Sequence, residues 1–155
     1  PGFIIGYHFS PEEPGADGLT MADTLALVDA LAAKPLQYLH VSLWDFYKKA
    51  RRDDNDEYRM KLIHQRINGR LPFIGVGKLY TADDIAQAWE TGWAEFIALG
   101  KTVMLNPDLI ELIANGREAE IHTHFDWQQT DRYRYTPAML AGTLQGMDFY
   151  PPAKG

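Results

Sequence analysis

Residues 71–101 read LPFIGVGKLYTADDIAQAWETGWAEFIALGK. An apolar run from Leu71 to Val76 ends in Gly77-Lys78. Thr81-Ala-Asp-Asp84 then has the form of a capping box, a threonine at the cap with an acid three residues on. Ile85, Ala88 and Trp89 follow on one helical face up to Gly92. A second apolar run, Ala94 to Leu99, ends in Gly100-Lys101. Strand, turn, helix, strand, turn is the unit of a parallel sheet, because parallel neighbours need a crossover between them. Glycines stand at both strand C-termini, the end at which parallel sheets bind ligands.

The same unit can be read upstream. Phe3 to Phe9 is expected as a strand, with Ile4 and Ile5 supplying β character. Ser10 to Gly18 is a loop. Thr20-Met-Ala-Asp23 is a first capping box, opening a helix to about Ala33 with Leu25, Val28 and Ala32 on one stripe, widened by Leu27 and Leu31. Pro35 ends it. Leu36 to Leu43 is the second strand. Trp44 to Tyr58 is a charged loop whose Arg51, Arg52, Asp53, Asp54 and Asp56 read as solvated. A helix from about Glu57 to Asn68 turns Met60, Ile63 and Ile67 inward, with Gly69 as its left-handed cap.

Downstream, Asn106 and Pro107 are expected to start a helix at its cap and first turn, with Leu109, Leu112 and Ile113 inward and Gly116 terminating. Glu120 to Tyr135 is polar and aromatic without a clear period. Thr136-Pro137 begins a last helix through Leu144. The expectation is a single domain over residues 1–155: four βα units over 1–116, and a tail with a short helix over 117–155.

Composition sets outer limits. The chain has 155 residues, 46% hydrophobic and 23% charged, as in an ordinary globular domain. A net charge of −6 argues against nucleic acid or an anionic membrane as partner. There is no cysteine, hence no disulfide and no cysteine metal site; that suits a cytoplasmic protein. No apolar run approaches the roughly 20 residues of a membrane span. The chain starts at Pro1 and enters an apolar run almost at once, which reads as a cut-out or processed segment.

Four βα units fit an open doubly wound sheet or half of an eightfold barrel. The loops favour the barrel. The first loop, SPEEPGADGL, is acidic and would repel a phosphate. The glycines follow the third and fourth strands, and phosphate-binding barrels commonly use the loops of their last two strands. In that register Gly75, Gly77 and Gly100 fall at a phosphate site, with Lys78 and Lys101 adding charge and Thr102 beginning a short helical turn. The plainer reading is tight βα turns with solvated lysines.

Several segments together resemble the C-terminal half of the old yellow enzyme family, the FMN-dependent NADH:flavin oxidoreductases. Gly6-Tyr-His-Phe-Ser-Pro-Glu-Glu13 is similar to the segment around the family's fifth barrel strand, and Gly18-Leu-Thr with Leu25 to Leu31 to the helix after it. Tyr38-Leu-His-Val-Ser42 resembles the sixth strand. Pro72 to Gly77 with Thr81 to Asp84 resembles the seventh strand and its helix. Phe96 to Lys101 through Asn106-Pro-Asp-Leu109 resembles the eighth strand and the phosphate-side helix.

The resemblance implies strands five to eight of a (β/α)8 barrel, with FMN at its mouth and NADH or NADPH as reductant. Gly77, Gly100 and Lys101 would hold the flavin phosphate. His8 stands where the family commonly has arginine near the flavin's pyrimidine edge. Lys101 stands where arginine is common, and Lys78 where a second glycine is common. The family's substrate-binding histidine pair, tyrosine proton donor and flavin-contacting glutamine belong to the first barrel half, so no catalytic residue is expected here, and the chain alone is expected to be inactive. A small-molecule acceptor is implied. The open edges are expected to pair with the missing half or with a second copy. The rival readings are a phosphate-binding half-barrel module and another phosphate-binding barrel enzyme, an isomerase or aldolase.

Other residues are weighed against plainer roles. Ser42, near a strand C-terminus, is a contact candidate, and His40 shares its face. Trp44, Phe46 and Tyr47 could stack on a planar ligand or cover a loop. Trp127, Tyr133 and Tyr135 are expected to pack the tail onto helices. His122, His124 and Asp126 have metal-like spacing but lie in the tail, so they read as polar surface and no metal is expected.

Overall fold

The computed structural model describes residues 2–52 and 56–153. The chain forms two compact units, Pro1–Lys78 with Gln87–Ala98, and Leu79–Ala86 with Leu99–Gly155. Asp53 and Asp54, read above as solvated, lie outside the described residues.

The first unit holds a parallel sheet of β1 (Gly6–Phe9), β2 (Tyr38–Val41), β3 (Phe73–Val76) and β4 (Phe96–Ala98), in sequence order. This is an α/β fold consistent with part of a TIM barrel. The strands are shorter than their apolar runs; Phe3, Ile4 and Ile5 precede β1 and are exposed. The helices α1 (Met21–Ala32) and α2 (Arg59–Ile67) pack on each other. The α1 capping box forms as read: Thr20 accepts from the Asp23 N–H and the Asp23 carboxylate accepts from the Thr20 N–H. The buried stripe of α1 is Met21, Thr24 and Val28, not the leucine-centred one. Thr24 can sit inside because its hydroxyl donates to the Pro11 carbonyl.

Register divides the sheet into two faces. Leu39 lies beside Phe73, and Phe9 beside Val41. These four are buried and, with Gly75, face α2: a Cβ at Gly75 would lie 2.6 Å from Met60 Cε. Met60, Ile63 and Ile67 complete that core as expected. The opposite face carries His8, His40, Ile74 and Phe96 in one cross-strand row, none of them buried. A half-open second face is unusual for a parallel sheet, which normally buries both.

The charged 44–58 loop is not bland. Phe46 is fully buried at its centre, its ring stacked parallel to Trp93 at 6.1 Å between centroids. Its N–H donates to the Gly77 carbonyl at 3.2 Å. Asp56 pairs with Lys49.

Helix α3 (Ala82–Glu90) has its first turn in the second unit and its end in the first. Its capping box also forms, Asp84 N–H to Thr81 Oγ1 at 3.0 Å and Thr81 N–H to Asp84 Oδ2 at 2.9 Å. Ala88 takes the buried position and Trp89 is 57% exposed. Adjacent helical residues point about 100° apart, and the small one takes the close contact.

The second unit holds α4 (Lys101–Leu105), α5 (Leu109–Ala114) and α6 (Pro137–Leu144), with 3-10 turns at Glu118–Glu120 and Trp127–Tyr133. Asn106 does not cap a new helix. It closes α4, fully buried, and Asp108 precedes α5. Its Nδ2 donates to the carbonyls of Thr102 and His122 at 3.0 and 2.9 Å, and its Oδ1 accepts from the His122 N–H at 2.8 Å. A buried amide so satisfied ties the tail to α4. Helix α6 begins as read, the Thr136 hydroxyl accepting from the Met139 N–H. The aromatic tail builds its own core of Leu105, Phe125 and Tyr133, flanked by Tyr135 and Leu140.

Candidate functional site

The C-terminal ends of β1, β2 and β3 open onto a cleft of about 520 Å³. Ser42 and Lys78, two sequence candidates, both line it, as does exposed Trp44. Phe46 and Tyr47 do not: Phe46 is core, and Tyr47 packs edge-on against Phe46, Tyr58 and Trp93. The cleft floor is an ion pair that sequence reading missed. Glu12, after β1, meets Arg59, the first residue of α2, with Nη2 to Oε2 at 2.7 Å and side chains 1% and 4% exposed. At that distance the two opposite charges compensate each other directly. Arg59 Nε donates to the Lys49 carbonyl at 3.0 Å, and the Arg51 N–H donates to Glu12 Oε2 at 3.0 Å. Burial depresses the Arg59 pKa, Glu12 opposes that, and nearby Arg51 adds to it. The available signal was Arg59 lying on the same inward stripe as Met60, Ile63 and Ile67.

His8 and His40 are register partners, and their rings stack at 4.3 Å and 17° on the half-open face. His40 Nε2 is buried without a hydrogen-bond partner. Desolvation, then the charge of His8, holds the His40 pKa below 6.5. A histidine depressed in the fold is protonated more readily when unfolded, so stability falls as pH drops below the unfolded value. Urea midpoints at about pH 7.5 and 5.5, a window in which ordinary carboxylates stay ionised, are expected to drop more for the wild type than for His40→Gln. Equal drops would remove His40 as the source.

The other candidates are divided between the two units in the chain. Gly75 packs against Met60, Phe46 and Ala94 on the helix side of the sheet. Gly77 has φ +136°, and a Cβ there would lie 2.5–2.8 Å from backbone atoms of Asp45 and Phe46. Only glycine permits that approach. Lys78 Nζ lies 4.0 Å from Asp45 and is 61% exposed.

In the second unit, Gly100 precedes α4 with open space where a side chain would stand. The Lys101 amine donates to the Asp148 carbonyl and lines a cleft of about 480 Å³ with Tyr80, Trp127, Met147 and Tyr150. Thr102, inside α4, is buried and donates to the Leu79 carbonyl. In the tail, His122 Nδ1 meets the Tyr133 hydroxyl at 2.9 Å, and His124 Nδ1 meets the Thr123 hydroxyl at 2.9 Å. No group of three or more acids and histidines among the described residues could hold a metal ion. No helix among them is long and apolar enough to cross a membrane.

Comparison with known proteins bears directly on these features. The profile of the NADH:flavin oxidoreductase / NADH oxidase family matches residues 2–120. The chain is 41% identical over 150 residues to the probable NADH-dependent flavin oxidoreductase YqiG of Bacillus subtilis (strain 168), covering 96% of this chain and 40% of that protein. It is 32% identical over 123 residues to the NADH:fumarate oxidoreductase of Klebsiella pneumoniae (strain 342), 77% of this chain and 13% of that protein. It is 35% identical over 111 residues to the NADH:acrylate oxidoreductase of Vibrio harveyi, 68% of this chain and 11% of that protein. The chain thus spans well under half the length of each of these relatives. With its sequential parallel sheet and a family match over most of its length, the chain belongs to the NADH:flavin oxidoreductase / NADH oxidase family.

Proposed function

We propose that this chain supplies strands five to eight of a (β/α)8 barrel in an NADH- or NADPH-dependent flavin oxidoreductase, and that it holds the phosphate side of FMN. The observation that carries the reading is the sheet itself: four parallel strands in sequence order, helix-covered on one face and half-open on the other. A barrel needs that half-open face as its interior. The outer strands β1 and β4 each pair on one side only among the described residues, and unpaired edges seek partners. In this reading the partner is the first half of the barrel or a second copy of the chain.

Two features fit a flavin nucleotide. The space beside Gly100 lets backbone N–H groups approach an oxyanion, and His40 Nε2 leaves an unmet hydrogen-bonding demand next to His8. Gly100 and Lys101 would hold the phosphate. When bound, FMN supplies two-electron chemistry between a nicotinamide nucleotide and a small-molecule acceptor. His8 would contribute positive charge toward the ring only when protonated. Lys101 is a point charge without a guanidinium fork, so it would attract the phosphate without fixing its orientation. By the resemblance, the family's catalytic residues belong to the first barrel half, so the chain alone is expected to lack turnover.

Flavin fluorescence titration tests the reading. FMN is expected to bind saturably and about tenfold or more tighter than riboflavin, the worth of a charge-assisted phosphate contact. That preference is expected to fall in Lys101→Gln. Equal affinity for both flavins would remove the phosphate corner, and no saturable response to either would overturn flavin binding by this chain.

A further inference from the structure

The cleft at the ends of β1, β2 and β3 has an imbalance of charge that the flavin reading does not use. Four cations line it, Lys48, Arg51, Arg59 and Lys78, against three acids, Glu12, Glu13 and Asp45. Glu12 and Asp45 face cations, and among the described residues Glu13 meets only a backbone N–H. Glu12 is taken by the Arg59 guanidinium and the Arg51 N–H. Asp45 accepts from the Tyr47 N–H at 2.9 Å and faces Lys78 at 4.0 Å. Glu13 accepts from the Leu19 N–H at 3.4 Å.

Lys48 and the Arg51 guanidinium therefore have no acid partner among the described residues. Beneath them, Arg59 is buried against Glu12. An oxyanion entering the cleft would meet Lys48 and Arg51 and neutralise the surplus charge. Two serine hydroxyls, Ser10 and Ser42, also line the cleft. Its volume of about 520 Å³ admits a small organic acid as well as an inorganic ion.

We propose that this cleft binds the carboxylate or phosphate group of a small molecule, contacted by Lys48 and Arg51 and backed by the buried Arg59–Glu12 pair. The residues lining the site lie wholly within the first unit. Arg59 positions the floor, and the exposed Lys48 and Arg51 make the contact. Their exposure makes substitutions there harmless to folding.

Calorimetric titration with succinate and with inorganic phosphate, at ionic strength matched by chloride, tests the proposal. Saturable binding of either probe is expected, weakened about tenfold or more in Arg51→Gln and in Lys48→Met. It is expected to be unchanged in Lys34→Gln, which removes one exposed surface charge outside the cleft. Tighter succinate binding assigns the site to carboxylates, and tighter phosphate binding to phosphorylated ligands. No saturable binding of either probe, or equal affinity in wild type and both cleft variants, overturns it. FMN and riboflavin titrated into the same variants separate the two readings: an unchanged flavin preference with lost succinate or phosphate binding supports a distinct site, and joint loss of both overturns the independence of the cleft from the cofactor.

Discussion

Replacing Phe46 by alanine is expected to destabilise the first unit by about 3–5 kcal/mol, the range for truncating a buried aromatic ring. Phe46 is fully buried, stacks on Trp93, and touches the space a side chain at Gly75 would fill, 2.8 Å from its Cε2. The cavity is bounded by β3 and the methyl end of Met60, and the methyl can refill only part of the volume of a ring. Urea unfolding followed by near-ultraviolet circular dichroism would read both the stability and the loss of the Phe46–Trp93 packing. A companion substitution tests the geometry. Gly75→Ala should destabilise the wild type by overpacking and cost less in the Phe46→Ala background, where the ring that blocks it is gone. Additive costs would mean that Gly75 and Phe46 do not share the space. Phe46→Ala costing less than about 1 kcal/mol would place the ring outside the core.

Glu12→Ala carries the second large expected effect, again about 3–5 kcal/mol, because it leaves the Arg59 guanidinium buried without a counter-charge. Glu12 also accepts the Arg51 N–H, so the substitution frees part of the 44–58 loop as well. The reverse experiment separates the value of the pair from the cost of breaking it. Glu12→Met with Arg59→Leu replaces two buried charges by apolar groups, and such replacements are often neutral or stabilising. Chemical denaturation of both variants reads the difference. A loss below about 1 kcal/mol for Glu12→Ala alone would show the pair to be effectively solvated. If the double variant is as unstable as the single, the pair's role is specific hydrogen bonding rather than charge compensation.

These two predictions also mark where reading the chain and seeing the fold part company. The sequence determined the local elements whose causes are local. Both capping boxes, Thr20–Asp23 and Thr81–Asp84, form because a short hydroxyl and a carboxylate one turn away reach each other's backbone without help from the rest of the molecule. The inward stripe Met60, Ile63, Ile67 follows from helical periodicity alone. The order strand, helix, strand pointed to a parallel sheet, because parallel neighbours need such crossovers. Similarity spread over several segments identified the family.

Only the tertiary structure decided what long-range packing controls. The 44–58 loop looked solvated because its charges dominate locally, yet one residue in it, Phe46, is anchored by Trp93 and Gly77, more than thirty positions away. The Glu12–Arg59 pairing was not read from the sequence, because burial of an ion pair depends on a partner from another segment. Asn106 looked like a helix cap, but its amide bridges Thr102 and His122, a connection that exists only once the tail has folded back. Gly77 carried a phosphate reading from its place after a strand. Its φ of +136° and its approach to the Asp45–Phe46 backbone show a second, structural demand for glycine there. Periodicity and capping act over a few residues and are written in order along the chain. Charge burial, ring stacking and backbone approach join residues that meet only when the chain is folded, so their causes are not adjacent in the sequence.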